Sequence, residues 1–196
     1  MRPLVMKVGG SLYDCVPSLV PTIKAFPHAA ILIVPGGGPF ADQVRAVMVQ
    51  EDEAHWMAIA AMEQFGLYLA SKGIPATDRL EIPSSPHVLL PYRVMREKDP
   101  LPHLWAFTSD TIAAWIAYTL RNELVLLKSV DGLYRDGTLR ERVKAPFPCR
   151  EVDPSFLPFV FTHRVVCTIL NGRIPGLLER FLRGENVRST RVETTF

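Results

Sequence analysis

The chain has 196 residues, 48% hydrophobic and 21% charged, enough for one domain with a real core. Its 22 basic and 20 acidic residues leave a formal net charge of +2, and without a block of lysine or arginine a nucleic-acid partner is not expected. No run reaches the roughly 18 apolar residues of a membrane span, Lys7 interrupts the N-terminus too early for a signal peptide, and Cys15, Cys149 and Cys167 lack metal or disulfide spacing, so a reduced, cytoplasmic enzyme or binding protein is expected.

Residues 4–8 read as a strand running into two glycines and Ser11, and residues 13–25 as a helix made irregular or late-starting by Pro17 and Pro21. Residues 30–34 form a second apolar strand, broken by Pro35 and three glycines, with a helix over 40–47. Strand, glycine turn and helix occur twice in quick succession, the alternation of an α/β domain with a largely parallel, buried sheet. Residues 51–71 read as a helix whose three opening acids suit the positive end of a helix dipole. Its middle is apolar on most faces, as in a helix buried in the core or at a subunit contact.

The stretch 74–103 is proline-rich, and "HVLLPYRVM" reads as a strand-like island between loops. "TSDTIAAWIAYTL" (108–120) is the best-marked helix: Thr108 or Ser109 can cap it, and Asp110 sits in its first turn. Residues 124–128 form a buried strand leading to Asp131-Gly132, "VVCTILNG" is a last strand, and "PGLLERFLRGE" is an amphipathic helix closed by Gly184.

Four strand ends share one architecture, an apolar run followed by glycine with a polar neighbour: Lys7 to Ser11, Pro35 to Gly38, Lys128 to Gly132, and Asn171-Gly172. Ligands of open α/β sheets bind beyond the carboxyl ends of the strands, where glycine lets backbone N–H groups approach an anion. None of these is a Walker A loop, for no G-x-x-x-x-G-K-[ST] occurs.

"KVGGSL", "VPGGGPFAD", "TSDTIAAWIA", "LLKSVDGLY" and "ILNGRIPGLLERFLRGE", in this order, resemble the motifs of the amino acid kinase family over essentially the whole chain. The resemblance implies a three-layer α/β/α sandwich with a mostly parallel central sheet. It implies one such domain over 1–196, with an acceptor-binding half to about residue 120 and a shortened nucleotide-binding half after it. Lys7, Asp110 and Lys128 would be catalytic, Lys7 on the moving phosphoryl group and Asp110 orienting the lysines. Gly9, Gly10, Ser11, Ser129, Asp131, Gly132, Tyr134, Asn171 and Gly172 would bind ATP, which arrives with Mg²⁺ held mainly by phosphate oxygens and water. Gly36, Gly37, Gly38, His55, Trp56 and Thr108 would meet the acceptor, and no protein metal ligand is expected. Relatives are often dimers or higher, which implies a homo-oligomer.

The chain also departs from the family. The second lysine that many relatives carry before the last strand has no counterpart in 136–162, where Lys144 or Lys128 could substitute. "NVRSTRVE" stands where relatives end in Gly-Thr. Around the acceptor, Arg45 and Arg93 are the one basic pair, and the aromatic and apolar residues suit a ring or hydrocarbon. Together with the short length, this resembles a narrower branch: the [5-(aminomethyl)furan-3-yl]methyl phosphate kinases of methanofuran-type cofactor synthesis, which make a diphosphate from the monophosphate and ATP. A family member acting on another carboxylate or phosphate, and a non-catalytic nucleotide-binding or storage protein, are the alternatives.

Overall fold

A strand covered on both faces has no wet side, and β1 (Leu4–Val8) and β2 (Ile31–Pro35) are buried at every position. In this computed structural model, which describes residues 2–194, a 3-10 turn (Gly10–Cys15) and α1 (Val16–Lys24) separate them. Pro17 falls within the first two positions of α1, where a missing N–H costs nothing, so the helix starts after the turn rather than at residue 13. Then come α2 (Gly38–Ala46), α3 (Glu51–Ala70), β3 (Ala76–Thr77) and β4 (His87–Leu89).

After β4 the sequence expectation fails. "HVLLPYRVM" is strand only to Leu89, and α4 (Pro91–Lys98) begins on Pro91. Pro91 pre-sets the helical φ at a first position, where its missing N–H costs nothing. The chain continues through α5 (Ser109–Leu120), β5 (Glu123–Lys128), β6 (Leu133–Arg135), β7 (Thr138–Arg140) and β8 (Arg142–Val143). It ends with α6 (Phe156–Thr162), β9 (Cys167–Asn171), α7 (Leu177–Leu182) and β10 (Thr190–Val192). Thus β9 is not the last strand, and the interval 136–162 is not bare.

Eight strands form one sheet in the order β3-β4-β2-β1-β5-β9-β10-β8, and β6 and β7 make a separate hairpin. Every pairing in the large sheet is parallel except that of β10 with β9. Strand alternation sorts the core into two layers. Val5, Leu32, Val34, Leu124, Leu126 and Ile169 face one side, where Met95 of α4, Ile116 of α5 and Phe156 of α6 cover them. Met6, Val8, Ile31, Ile33, Leu127 and Leu170 face the other, covered by Leu19 and Ile23 of α1 and Leu178 of α7. The result is the three-layer sandwich with a mostly parallel sheet. Helix α3 gives Ile59 and Met62 to the first layer and Phe65 and Leu69 to the second, and its exposed stripe, Glu53, Met57, Gln64 and Leu67, is half apolar, which hides the wet side in the sequence.

Candidate active site

Because β1, β2, β5 and β9 are parallel, their C-terminal ends lie on one rim of the sheet. Val8 stands beside Pro35 and Leu127, and Lys128 beside Asn171. The four glycine turns therefore converge rather than scatter, on the edge where α/β sheets bind ligands.

Period-two alternation then aims the lysines. Lys7 shares a face of β1 with Val5, and Lys128 shares a face of β5 with Leu124 and Leu126, so both point toward the layer containing α5. There the first turn of α5 supplies Asp110. Lys7 Nζ donates to Asp110 Oδ1 at 2.6 Å, and Lys128 Nζ donates to Oδ2 at 2.5 Å. Lys7 and Asp110 are almost wholly buried, at 3% exposure each. Burial alone would push the Asp110 carboxyl up, but the two ammoniums outweigh it and hold the pKa at about 2. Burial pulls Lys7 below the usual lysine range, and Lys128 adds to the fall while Asp110 opposes it. The two directions describe one imbalance: a single ionised carboxylate serves two ammoniums, and the surplus positive charge awaits an anion. Of the two stand-ins for the missing family lysine, Lys128 is at this cluster; Lys144 comes after β8, exposed.

Asp110 is held in place by a residue that the motifs did not mark. Thr108 is the N-cap of α5, but no side chain of its own turn caps the helix. Instead the Asp153 carboxylate, from the loop before α6, accepts from Thr108 N (3.0 Å), Thr108 Oγ1 (2.9 Å), Thr111 N (3.0 Å) and Thr111 Oγ1 (2.5 Å). The expected local cap is thus replaced by one distant in sequence. Burial, then repulsion from Asp110, pushes the Asp153 carboxyl up. The positive helix end and four donors are the compensation.

The first two glycine loops touch each other. A Cβ on Gly36 would come within 2.6 Å of Gly10 N, and one on Gly10 within 2.7 Å of Gly38 Cα, so only glycine permits the approach. Two cavities open beside them. A polar one is lined by Lys7, Gly9, Gly10, Ser11, Asp110 and Lys128, with Gly37 and Gly38 across from them. An apolar one is lined chiefly by Ala54, Ala58, Ile59, Met62, Trp105 and Phe107, and also by His55 and Glu51. Gly37, Ala41, Arg45, Thr108 and Ser109 line both, forming a shared wall. Arg45, paired with Asp42 at 2.8 Å, therefore stands at the junction, while Arg93 is tied to Asp78 and Glu97 outside it.

The remaining nucleotide candidates lie at the neighbouring turns, outside the lining of the polar cavity. Asn171 Nδ2 donates to Asp131 Oδ1 at 2.8 Å, and Arg188 Nε reaches Asp131 Oδ2 at 3.0 Å. Gly132 packs against the Thr190 side chain, whose hydroxyl accepts from Leu133 N and donates to Arg140 O. The unusual tail "NVRSTRVE" thus braces this loop. Ser129 and Tyr134 are half-buried beside it. Gly172 packs against Leu12. The next residue, Arg173, grips both oxygens of Asp14 at 2.8 Å and the Ser11 carbonyl at 2.7 Å, joining the first turn to the last.

Among the acceptor candidates, Gly37, His55 and Thr108 line the apolar cavity, whereas Trp56 packs against Tyr92 and His103 beneath Arg96 and does not. His55 is buried and stacked on His103, with ring centroids 4.1 Å apart. His103 bridges Asp99 and Asp52, which together push its pKa up, while burial, then His103, pulls His55 down to about 4. His55 is therefore neutral at physiological pH. Asp99 lies close to both rings, and one ligand atom from each of the three falls within 4.8 Å of the others, but both ring nitrogens of His103 are already taken by Asp52 and Asp99.

No protein-family model matches the chain. It is 31% identical, over 209 aligned positions covering 96% of each chain, to the [5-(aminomethyl)furan-3-yl]methyl phosphate kinase of Methanocaldococcus jannaschii. Solved structures share the fold at lower identity. UMP kinase from Ureaplasma parvum has a TM-score of 0.69 at 17% identity, covering 98% of this chain and all of that one. Uridylate kinase from Archaeoglobus fulgidus has 0.66 at 16%, covering 97% and 100%. An isopentenyl phosphate kinase has 0.63 at 18%, also covering 97% and 100%.

Proposed function

Since the chain belongs to the [5-(aminomethyl)furan-3-yl]methyl phosphate kinase family, we propose that it transfers the γ-phosphoryl group of ATP to the phosphate of [5-(aminomethyl)furan-3-yl]methyl phosphate, giving the diphosphate. The observation that carries this reading is the cluster of two lysines on one buried carboxylate, beside the wall shared by a polar and an apolar cavity. A kinase must neutralise the moving phosphoryl group and hold donor and acceptor in line. The surplus charge of Lys7 and Lys128 serves the first need, and the joined cavities serve the second.

In this reading an oxygen of the acceptor's phosphate attacks the γ-phosphorus at the shared wall, and the bond to the β-γ bridging oxygen of ATP breaks. Lys7 takes the equatorial oxygens and Asp110 keeps both lysines aimed. Backbone N–H groups of Gly10 and Gly37 and the Ser11 hydroxyl supply further donors, whereas the Gly9 N–H is spent on the Leu127 carbonyl at 2.9 Å. Arg45 and neutral His55 can hold the acceptor's own phosphate, whereas both donors of Thr108 are spent on Asp153. Residues to about 120 would then bind acceptor and the later ones nucleotide, with Ser129, Asp131, Gly132, Tyr134, Asn171 and Gly172 around it. Mg²⁺ would neutralise the phosphate chain. The donor set suits an ion held by phosphate oxygens and water, because Asp110, Asp14 and Asp42 are already paired with Lys7 and Lys128, Arg173 and Arg45. The reading extends to a homo-oligomer and to the cytoplasm; no helix among the described residues is long and apolar enough to cross a membrane.

The test is ATP consumption with [5-(aminomethyl)furan-3-yl]methyl phosphate, isopentenyl phosphate, carbamate and acetylglutamate. Turnover is expected with the first. No turnover with it, against clear turnover of another, overturns the acceptor, and ATP binding without any turnover points to a storage protein instead.

A further inference from the structure

Resting on that substrate reading, we infer that Glu51 is the receptor for the acceptor's aminomethyl group and sets specificity for a cationic substrate. Among the described residues, Glu51 is the one carboxylate lining the apolar cavity. It does not belong to the wall shared with the polar cavity, so it lies in the part that the lysine cluster does not reach.

Its carboxylate is also available. Among the described residues its carboxylate has no hydrogen-bond or ion-pair partner, whereas Asp42 pairs with Arg45, Asp52 with His103 and Asp14 with Arg173. It opens α3, at the positive end of the helix dipole. Around it the cavity offers hydrocarbon and the ring of Trp105, 40% exposed, with the Arg45 guanidinium 5.3 Å from the ring centroid.

These positions match the three parts of one molecule. The phosphate belongs at the shared wall with Arg45, beside the lysines. The furan ring belongs among Ile59, Met62 and Phe107. The primary ammonium, at the end remote from the phosphate, belongs on Glu51, a charge-assisted pair that is partly desolvated once ring and side chains exclude water. An uncharged hydrocarbon in the same place would strip water from Glu51 and leave it unpaired, so the carboxylate also works against neutral acceptors.

The experiment compares kcat/KM for [5-(aminomethyl)furan-3-yl]methyl phosphate with that for the analogue bearing methyl in place of aminomethyl. In the wild type the amine is expected to be preferred. E51Q is expected to lower the preference about tenfold or more, the scale of a hydrogen bond between charged groups discounted for exposure. E51D, which keeps the charge, should retain most of the preference. An unchanged preference in E51Q overturns the inference. So does an equal loss for both substrates, which would put Glu51 to work on the common phosphate through Arg45. A wild type that phosphorylates neither furan compound overturns the substrate reading itself, and is distinguishable because it appears before any substitution is made.

Discussion

Asp110 is the residue on which the others depend. It balances two ammoniums at once, so the substitutions within the cluster are not equivalent. Lys7→Ala leaves one carboxylate with one ammonium, whereas Asp110→Asn leaves two buried or half-buried ammoniums without a counter-charge. Urea denaturation is expected to show little change for the first and a loss of about 3–5 kcal/mol for the second, the cost of breaking a buried pair. Turnover of ATP should nevertheless fall by about 10²–10³-fold in Lys7→Ala, because a donor aimed at developing charge is gone. Unchanged turnover in Lys7→Ala would remove that lysine from the chemistry. At this scale much was legible. A lysine before two glycines and an aspartate in a helix's first turn are local patterns, whereas Asp153 gave no local sign, since its partners are 42 and 45 residues away.

Helix α5 shows how an element is positioned by something outside it. Its sequence offers Thr108 and Ser109, ordinary capping residues, yet the cap comes from Asp153. The same carboxylate thereby fixes the turn that carries Asp110. Asp153→Ala leaves the N–H groups of Thr108 and Thr111 and two hydroxyls seeking partners. A stability loss of about 2–3 kcal/mol is expected, together with a lower kcat, because Asp110 loses its anchor. If denaturation shows the loss but kcat holds, the cap serves stability alone. Helix α4 makes a second point about boundaries. A proline inside an apolar run looks like a break, but at the first helical position it is a start, and the polar, helix-forming residues beyond Pro91 are what separate the two cases.

At the scale of the whole molecule, the parallel sheet gathers four turns at one rim, and the two faces of β1 divide labour: Lys7 joins α5 on one side while Met6 and Val8 pack on the other. The proposed homo-oligomer belongs here too. Helix α3 is largely buried within its own chain, but Met57 and Leu67 remain 37% and 53% exposed, and they support a contact through this helix. Light scattering is expected to give a multiple of 22.0 kDa, and the mass of one chain would overturn it.

The amino-acid order by itself determined the α/β class and the rim on which the glycine turns fall, and it marked Lys7 and Asp110 as candidates for one site. The first two rest on local regularities, apolar runs and strand-turn-helix alternation, and the third on the resemblance of the ordered motifs to a known family. The tertiary structure alone decided that Lys128 rather than Lys144 joins Asp110, that Asp153 caps α5, that Trp56 turns away from the apolar cavity while Glu51 lines it, and that Arg188 and Thr190 brace the Asp131-Gly132 turn. Each of those pairings closes a loop through the packed layers. Where such a side chain ends up depends on which elements the core brings together, which no stretch of neighbouring residues encodes.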